Sequence, residues 1–113
     1  MEERRKNKRW LLNTYFDAYR ENRDASPSYL ADISKDGLLL ISRHPVQTNI
    51  VVPLRISLNK EVTLDGELRV SSRVVRCNKD RDCNYYNAGC KLVDLSSSDL
   101  KTIERIIEMY HIT

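Results

Sequence analysis

Leu30–Ser42, LADISKDGLLLIS, reads as two short strands joined by a tight turn. Leu30 to Ile33 alternates, Lys35-Asp36-Gly37 breaks the pattern, and Gly37 to Ser42 runs apolar. Such a turn calls for Gly37, and Asp36 suits it. It does not call for a carboxylate and a hydroxyl two residues apart just ahead of it. Asp32 and Ser34 are therefore the residues that need explaining. In an extended strand the two point to one face and sit side by side at the strand end. Gly37 permits either a positive φ or the close approach of another molecule.

The same period of two extends outward from this hairpin. NIVVPLRISL sets Ile50, Val52, Leu54, Ile56 and Leu58 on one face, with Arg55 and Ser57 on the other. YYNAGCKLV does likewise with Tyr86, Ala88, Cys90 and Leu92, and ELRVSSRVV with Leu68, Val70 and Val74. LLNTYFDAY, SPSYLADI and GLLLIS complete a set of six strands. Turn signals separate them at Arg23–Pro27, Lys35-Asp36-Gly37, Arg43-His44-Pro45, Asp65-Gly66 and the polar run from Asn78 to Asn84. At the end the period changes. Leu100, Ile103, Ile106, Ile107 and Tyr110 recur at helical spacing, and Ser96 with Asp99 forms a variant of the capping box. The expected fold is mainly β: a six-stranded antiparallel (split) β-barrel with a C-terminal amphipathic α-helix. Closure removes exposed strand edges, and the helix covers what remains.

Composition narrows the function. A chain of 113 residues with 41% hydrophobic content can bury one modest core, with little left for a deep substrate cleft. The formal net charge is only +3, but it is unevenly placed. MEERRKNKRW opens with Arg4, Arg5, Lys6, Lys8 and Arg9 against Glu2 and Glu3, so residues 1–10 are read as a flexible basic arm ahead of a single domain over 11–113. The apolar run behind the arm is cut by Asn13 and Thr14, which does not fit a secretory signal, and no stretch suffices for a membrane span. With three cysteines in no framework spacing, a soluble, reducing, cytoplasmic setting is expected.

The arm and the hairpin make chemical sense together. Arg5 and Arg9 are spaced i, i+4, with Arg4 directly ahead, and Asp32 to Gly37 has the form Asp-x-Ser-x-x-Gly. Arginine forks match phosphate oxygens and also the O6/N7 edge of guanine. A carboxylate accepts from guanine N–H groups, and a serine hydroxyl can bond phosphate or base. The sum fits a guanine nucleotide with exposed phosphates.

Arg-x-x-x-Arg followed by Asp-x-Ser-x-x-Gly resembles the PilZ domain, the bacterial receptor for cyclic di-GMP. The likeness extends through SRVVRCNKD, similar to the family's long strand ending at the barrel mouth, and NAGCKLVDLSSSD, similar to its last strand and the start of its helix. The resemblance implies a six-stranded antiparallel barrel that binds cyclic di-GMP. Arg5 and Arg9 would grip phosphates and a guanine edge, Asp32 and Ser34 would hold a guanine, and Gly37 would leave room. Arg4 would accompany two stacked ligand molecules. Arg76 stands where many members have an aromatic residue, and a guanidinium can also stack on a purine. Ordering an arm costs roughly 1–2 kcal/mol per residue, and charge-assisted hydrogen bonds return about 1.5–3 kcal/mol each. The expected mechanism is a ligand-driven ordering of the arm that switches binding of an unidentified protein effector.

Other readings fit less of the chain. A ligand-free adaptor would have no use for Arg5, Arg9, Asp32, Ser34 and Gly37 together. A nucleic-acid-binding barrel would need a basic-aromatic platform, whereas the six tyrosines are scattered. Catalysis lacks a constellation, since His44 and His111 stand far apart and Ser34 lacks the setting of a nucleophile elbow. No metal or cofactor is expected, because Cys77, Cys83 and Cys90 lack the close pairs of zinc sites. Even parity puts Arg76 and Cys90 on inner faces and Cys77 on an outer one. A bulge near Val74-Val75 would bring Cys77 and Cys90 to one face, but no disulfide between them is expected.

Overall fold

The computed structural model describes residues 8–20 and 27–112. Six strands run β1 Trp10–Arg20, β2 Ser28–Ile33, β3 Gly37–Ser42, β4 Val51–Ser57, β5 Glu67–Lys79 and β6 Tyr86–Val93, followed by α1 Ser97–Tyr110. They form one closed antiparallel barrel in the order β1-β2-β3-β6-β5-β4. The expected architecture is thus present, and closed rather than split. The turn expected at Arg23–Pro27 lies largely outside the described residues.

The inward residues are those the alternation singles out. Leu54 and Ile56 on β4, Val74 on β5 and Ala88 and Cys90 on β6 are buried, as are Leu30, Ile33, Leu38 and Leu40 from the opening hairpin. The helix lies across the barrel with Ile103 and Ile106 fully buried. Its start is the expected capping box: the Asp99 amide donates to Ser96 Oγ at 3.0 Å and the Ser96 amide to Asp99 Oδ2 at 3.4 Å. Tyr110 packs edge-on to Phe16 and donates through its hydroxyl to Glu61, tying the far end of the helix to the β4–β5 connection. There Gly66, with φ of 71°, takes a left-handed turn that favours glycine.

Two bulges redirect side chains that alternation alone would misplace. On β2, Leu30 pairs with Leu40 but Asp32 with Leu39, so Ala31 is an extra residue. The strand thereby turns Asp32 to the outer side of the barrel, beside Leu39, where it is largely covered, while Leu30 and Ile33 stay inside. On β5, Val74 pairs with Cys90 and Arg76 with Gly89, so Val75 is extra. The bulge corrects the parity reading of Arg76 and Cys77. Arg76 is exposed on the outer face, and Cys77, paired with Ala88, packs against the core. The shift brings Cys77 and Cys90 to the same face, yet all three cysteines are free thiols.

Candidate functional site

Antiparallel pairing of β1 with β2 carries Arg9 to the hairpin. Trp10 pairs with Ile33 and Leu11 with Asp32, so the chain just before Trp10 runs beside the β2–β3 turn. Arg9 is half-buried there, and its Nη2 lies 3.9 Å from where a Cβ on Gly37 would be. The root of the arm is anchored from the other end of the protein. The Trp10 ring packs edge-on to His111 at 5.0 Å, Leu12 bridges to His111, and the Ile112 amide donates to the Leu11 carbonyl. These contacts tie the start of β1, next to Arg9, to the C-terminal end of the chain. Lys8 sits over the Trp10 ring, 4.2 Å from its centre. Arg4 and Arg5 lie outside the described residues.

The turn itself is organised by Ser34, and here the structure departs from the sequence expectation. Ser34 follows the last residue of β2 and is fully buried within the turn, so it does not stand beside Asp32 on one strand face. Its hydroxyl accepts from the Gly37 amide at 3.0 Å and donates to Asp36 Oδ1 at 2.8 Å. The Ser34 amide in turn donates to the Gly37 carbonyl at 2.8 Å. Ser34 builds the turn that presents its neighbours. Lys35 reaches Glu104 on the helix at 4.0 Å, and the Asp36 carbonyl accepts from the Leu92 amide.

Gly37 is required by packing rather than by its dihedral angles. A Cβ there would stand 2.9 Å from the Cys90 carbonyl oxygen, closer than β3 and β6 allow. Gly89 on β6 plays a related part. Arg76 lies across it, with Nε 3.1 Å and Cγ 3.3 Å from the place of its missing Cβ. The outer surface therefore runs, strand by strand, through Leu11, Asp32, Leu39, Gly89 and Arg76. A carboxylate stands toward one side of a shallow apolar strip and a guanidinium at the other. Beneath the strip the Cys90 thiol is buried, and the Arg9 charge favours its ionised form.

The site thus brings together Arg9, Asp32, Gly37 and Arg76, with Ser34 inside the turn. Gly89 was missed by the sequence reading, because only cross-strand register reveals that Arg76 lies over it. Among the described residues no group of His, Cys, Asp or Glu could hold a metal, and no helix is long and apolar enough to cross a membrane.

Burial pushes the Cys90 thiol from 9.0 to about 11, while the Ser72 hydroxyl and the Arg9 charge pull it down and Cys77 pushes it up. The folded state holds this proton more tightly than the unfolded chain does. The resulting stabilisation is complete below about pH 9 and is lost as pH rises through about 11. It amounts to about 2–3 kcal/mol. Urea unfolding between pH 9 and 11 is expected to show a fall of that order, much reduced in Cys90→Ala. An equal fall in both proteins would assign the alkaline sensitivity to other groups.

Comparisons with known proteins bear on this geometry. The PilZ domain family model matches residues 3–109. Among solved structures, the inhibitor of motility MotI/DgrA of Bacillus subtilis superposes with a TM-score of 0.75 at 14% identity, covering 95% of this chain and 50% of that one. The PilZ domain of YcgR from Escherichia coli, solved with c-di-GMP, gives 0.70 at 15% identity, covering 94% and 90%. The K. pneumonia MrkH–c-di-GMP complex gives 0.71 at 20% identity, covering 95% and 51%. The chain spans about half the length of MotI and MrkH. No curated protein matches the sequence.

Proposed function

The chain belongs to the PilZ domain family, and from that premise we propose that it is a receptor for cyclic di-GMP rather than an enzyme. The observation that carries the reading is the placement of the Arg9 guanidinium beside Gly37, at the end of the strand that turns Asp32 outward. Arg9 supplies a planar fork for a phosphate or for the O6/N7 edge of guanine. Asp32 accepts from the guanine N–H groups. Gly89 lets the Arg76 side chain lie close against β6, and the Arg76 guanidinium beside Leu39 offers a flat surface on which a purine stacks. Ser34 contributes by holding the turn rather than by bonding ligand, since its hydroxyl is buried and engaged.

Arg4 and Arg5 join Arg9 on the phosphates, and Arg4 favours two stacked ligand molecules. Residues 1–10 act as the arm that closes on the anion, and residues 11–113 as the barrel that receives it. Arm closure alters the surface around Trp10, Leu11 and the helix end, where Ile112 meets Leu11. A cytoplasmic protein effector reads that altered surface.

Calorimetric titration of cyclic di-GMP into the protein, with GTP and GMP as controls, tests the reading. Saturable binding at micromolar or tighter affinity, selective over both controls, is expected. Two ligands per chain would assign Arg4 its role, and one would remove the stacked pair. No binding would leave a family member that works through protein contacts alone.

A further inference from the structure

The outer face beyond Gly89 carries charges that the site described so far does not use. In the β5–β6 ladder Arg73 stands directly opposite Lys91, and both are exposed. Like charges facing each other across a strand pair are unfavourable. Among the described residues neither has an ion-pair partner that would relieve the repulsion. Neither β3 nor β6 contains a carboxylate, and β5 has only Glu67, at its far end and bonded to Arg69. The repulsion is therefore a standing feature of the ligand-free barrel.

The position of this rung is informative. Lys91 pairs on its other side with Gly37, the residue that Arg9 overhangs. Arg73 stands one strand further, roughly 10 Å from Gly37 by the usual strand spacing. Two residues along β6 from Lys91 is Gly89, covered by Arg76. Arg9, over Gly37, and the Arg73–Lys91 pair thus lie at the two ends of one rung, which borders the strip through Gly89 on a single side.

We propose that Arg73 and Lys91 form a second phosphate-binding subsite, which takes the phosphodiester of the cyclic dinucleotide remote from the one held by Arg9. The inference rests on the cyclic di-GMP reading above and deepens it. A cyclic dinucleotide carries two phosphodiesters on opposite sides of its ring, whereas Arg9 stands at one end of the rung only. Two cations fixed opposite each other on adjacent strands present a concentrated positive field with no loop to order. An anion between them converts a repulsive pair into two attractive ones. The long stem of Lys91 lets its ammonium adjust to the ligand, and Arg73 offers the planar fork.

The test is calorimetric titration of cyclic di-GMP at several salt concentrations, into the unaltered protein and into the double variant Arg73→Gln with Lys91→Gln. The double variant is expected to bind at least tenfold more weakly, with a shallower salt dependence. Its ligand-free melting temperature is expected to be unchanged or higher, because the repulsion is gone. The single variants, each expected to weaken binding at least threefold, serve if the double variant fails to fold. Lys101→Gln, on the exposed face of α1, is expected to bind as the unaltered protein does. Equal loss in Lys101→Gln would overturn the subsite in favour of a general charge effect. A variant that binds as tightly as the unaltered protein, with the same salt dependence, would overturn the subsite and leave the receptor reading standing. An unaltered protein that does not bind at all would overturn the receptor reading, and the subsite with it.

Discussion

Arg9→Ala is expected to weaken cyclic di-GMP binding by about 100-fold or more while leaving the melting temperature within a degree or two. The magnitude follows from what the guanidinium would do. A bidentate pair of charge-assisted hydrogen bonds, at about 1.5–3 kcal/mol each, amounts to roughly two to four decades in affinity. The stability side follows from where Arg9 sits. It precedes β1, lies half-buried over Gly37, and contributes nothing to the packed interior formed by Leu30, Ile33 and Leu38. Calorimetry paired with a thermal melt separates the two effects. Binding within threefold of the unaltered protein would remove Arg9 from the site.

Gly37→Val is expected to reduce both stability and binding. Its Cβ would meet the Cys90 carbonyl, a backbone atom that can move only if β3 and β6 separate. Overpacking of this kind costs about 1–3 kcal/mol, or several degrees in melting temperature. The same displacement pulls the Gly37 amide and carbonyl away from Ser34, so the turn beside Arg9 and Asp32 loosens. Gly89→Ala provides the contrast. The atoms in its way belong to the Arg76 side chain, which can swing aside. Its expected effect is on ligand stacking, with little change in the melt. A Gly37→Val protein as stable as the unaltered one would show that the sheet absorbs the added side chain.

These two glycines show why part of the site escaped the sequence. Gly37 belongs to a motif and was legible as a place of close approach, although what approaches it most closely in the structure is the neighbouring strand. Gly89 reads as an ordinary strand residue until β5 is laid against β6. Ser34 has the right position in the motif, but only the folded turn shows its hydroxyl buried and committed to Asp36 and Gly37. Arg73 and Lys91 lie on different strands and have no common signal in the chain.

The sequence by itself determined the six strands, the terminal helix with its Ser96–Asp99 cap, and most of the inward residues. It did so because alternation and helical periodicity are local, set by each residue's own backbone and near neighbours. It also set the residue types of the site, through Arg9, Asp32 and Gly37. The tertiary structure alone decided which side chains meet. Pairing of β1 with β2 brings Arg9 to the hairpin, and the extra residues Ala31 and Val75 turn Asp32 and Arg76 outward. A bulge depends on which partner strand supplies the hydrogen bonds, and one extra residue reverses every side chain beyond it. That information lies between strands, so no reading along a single strand contains it.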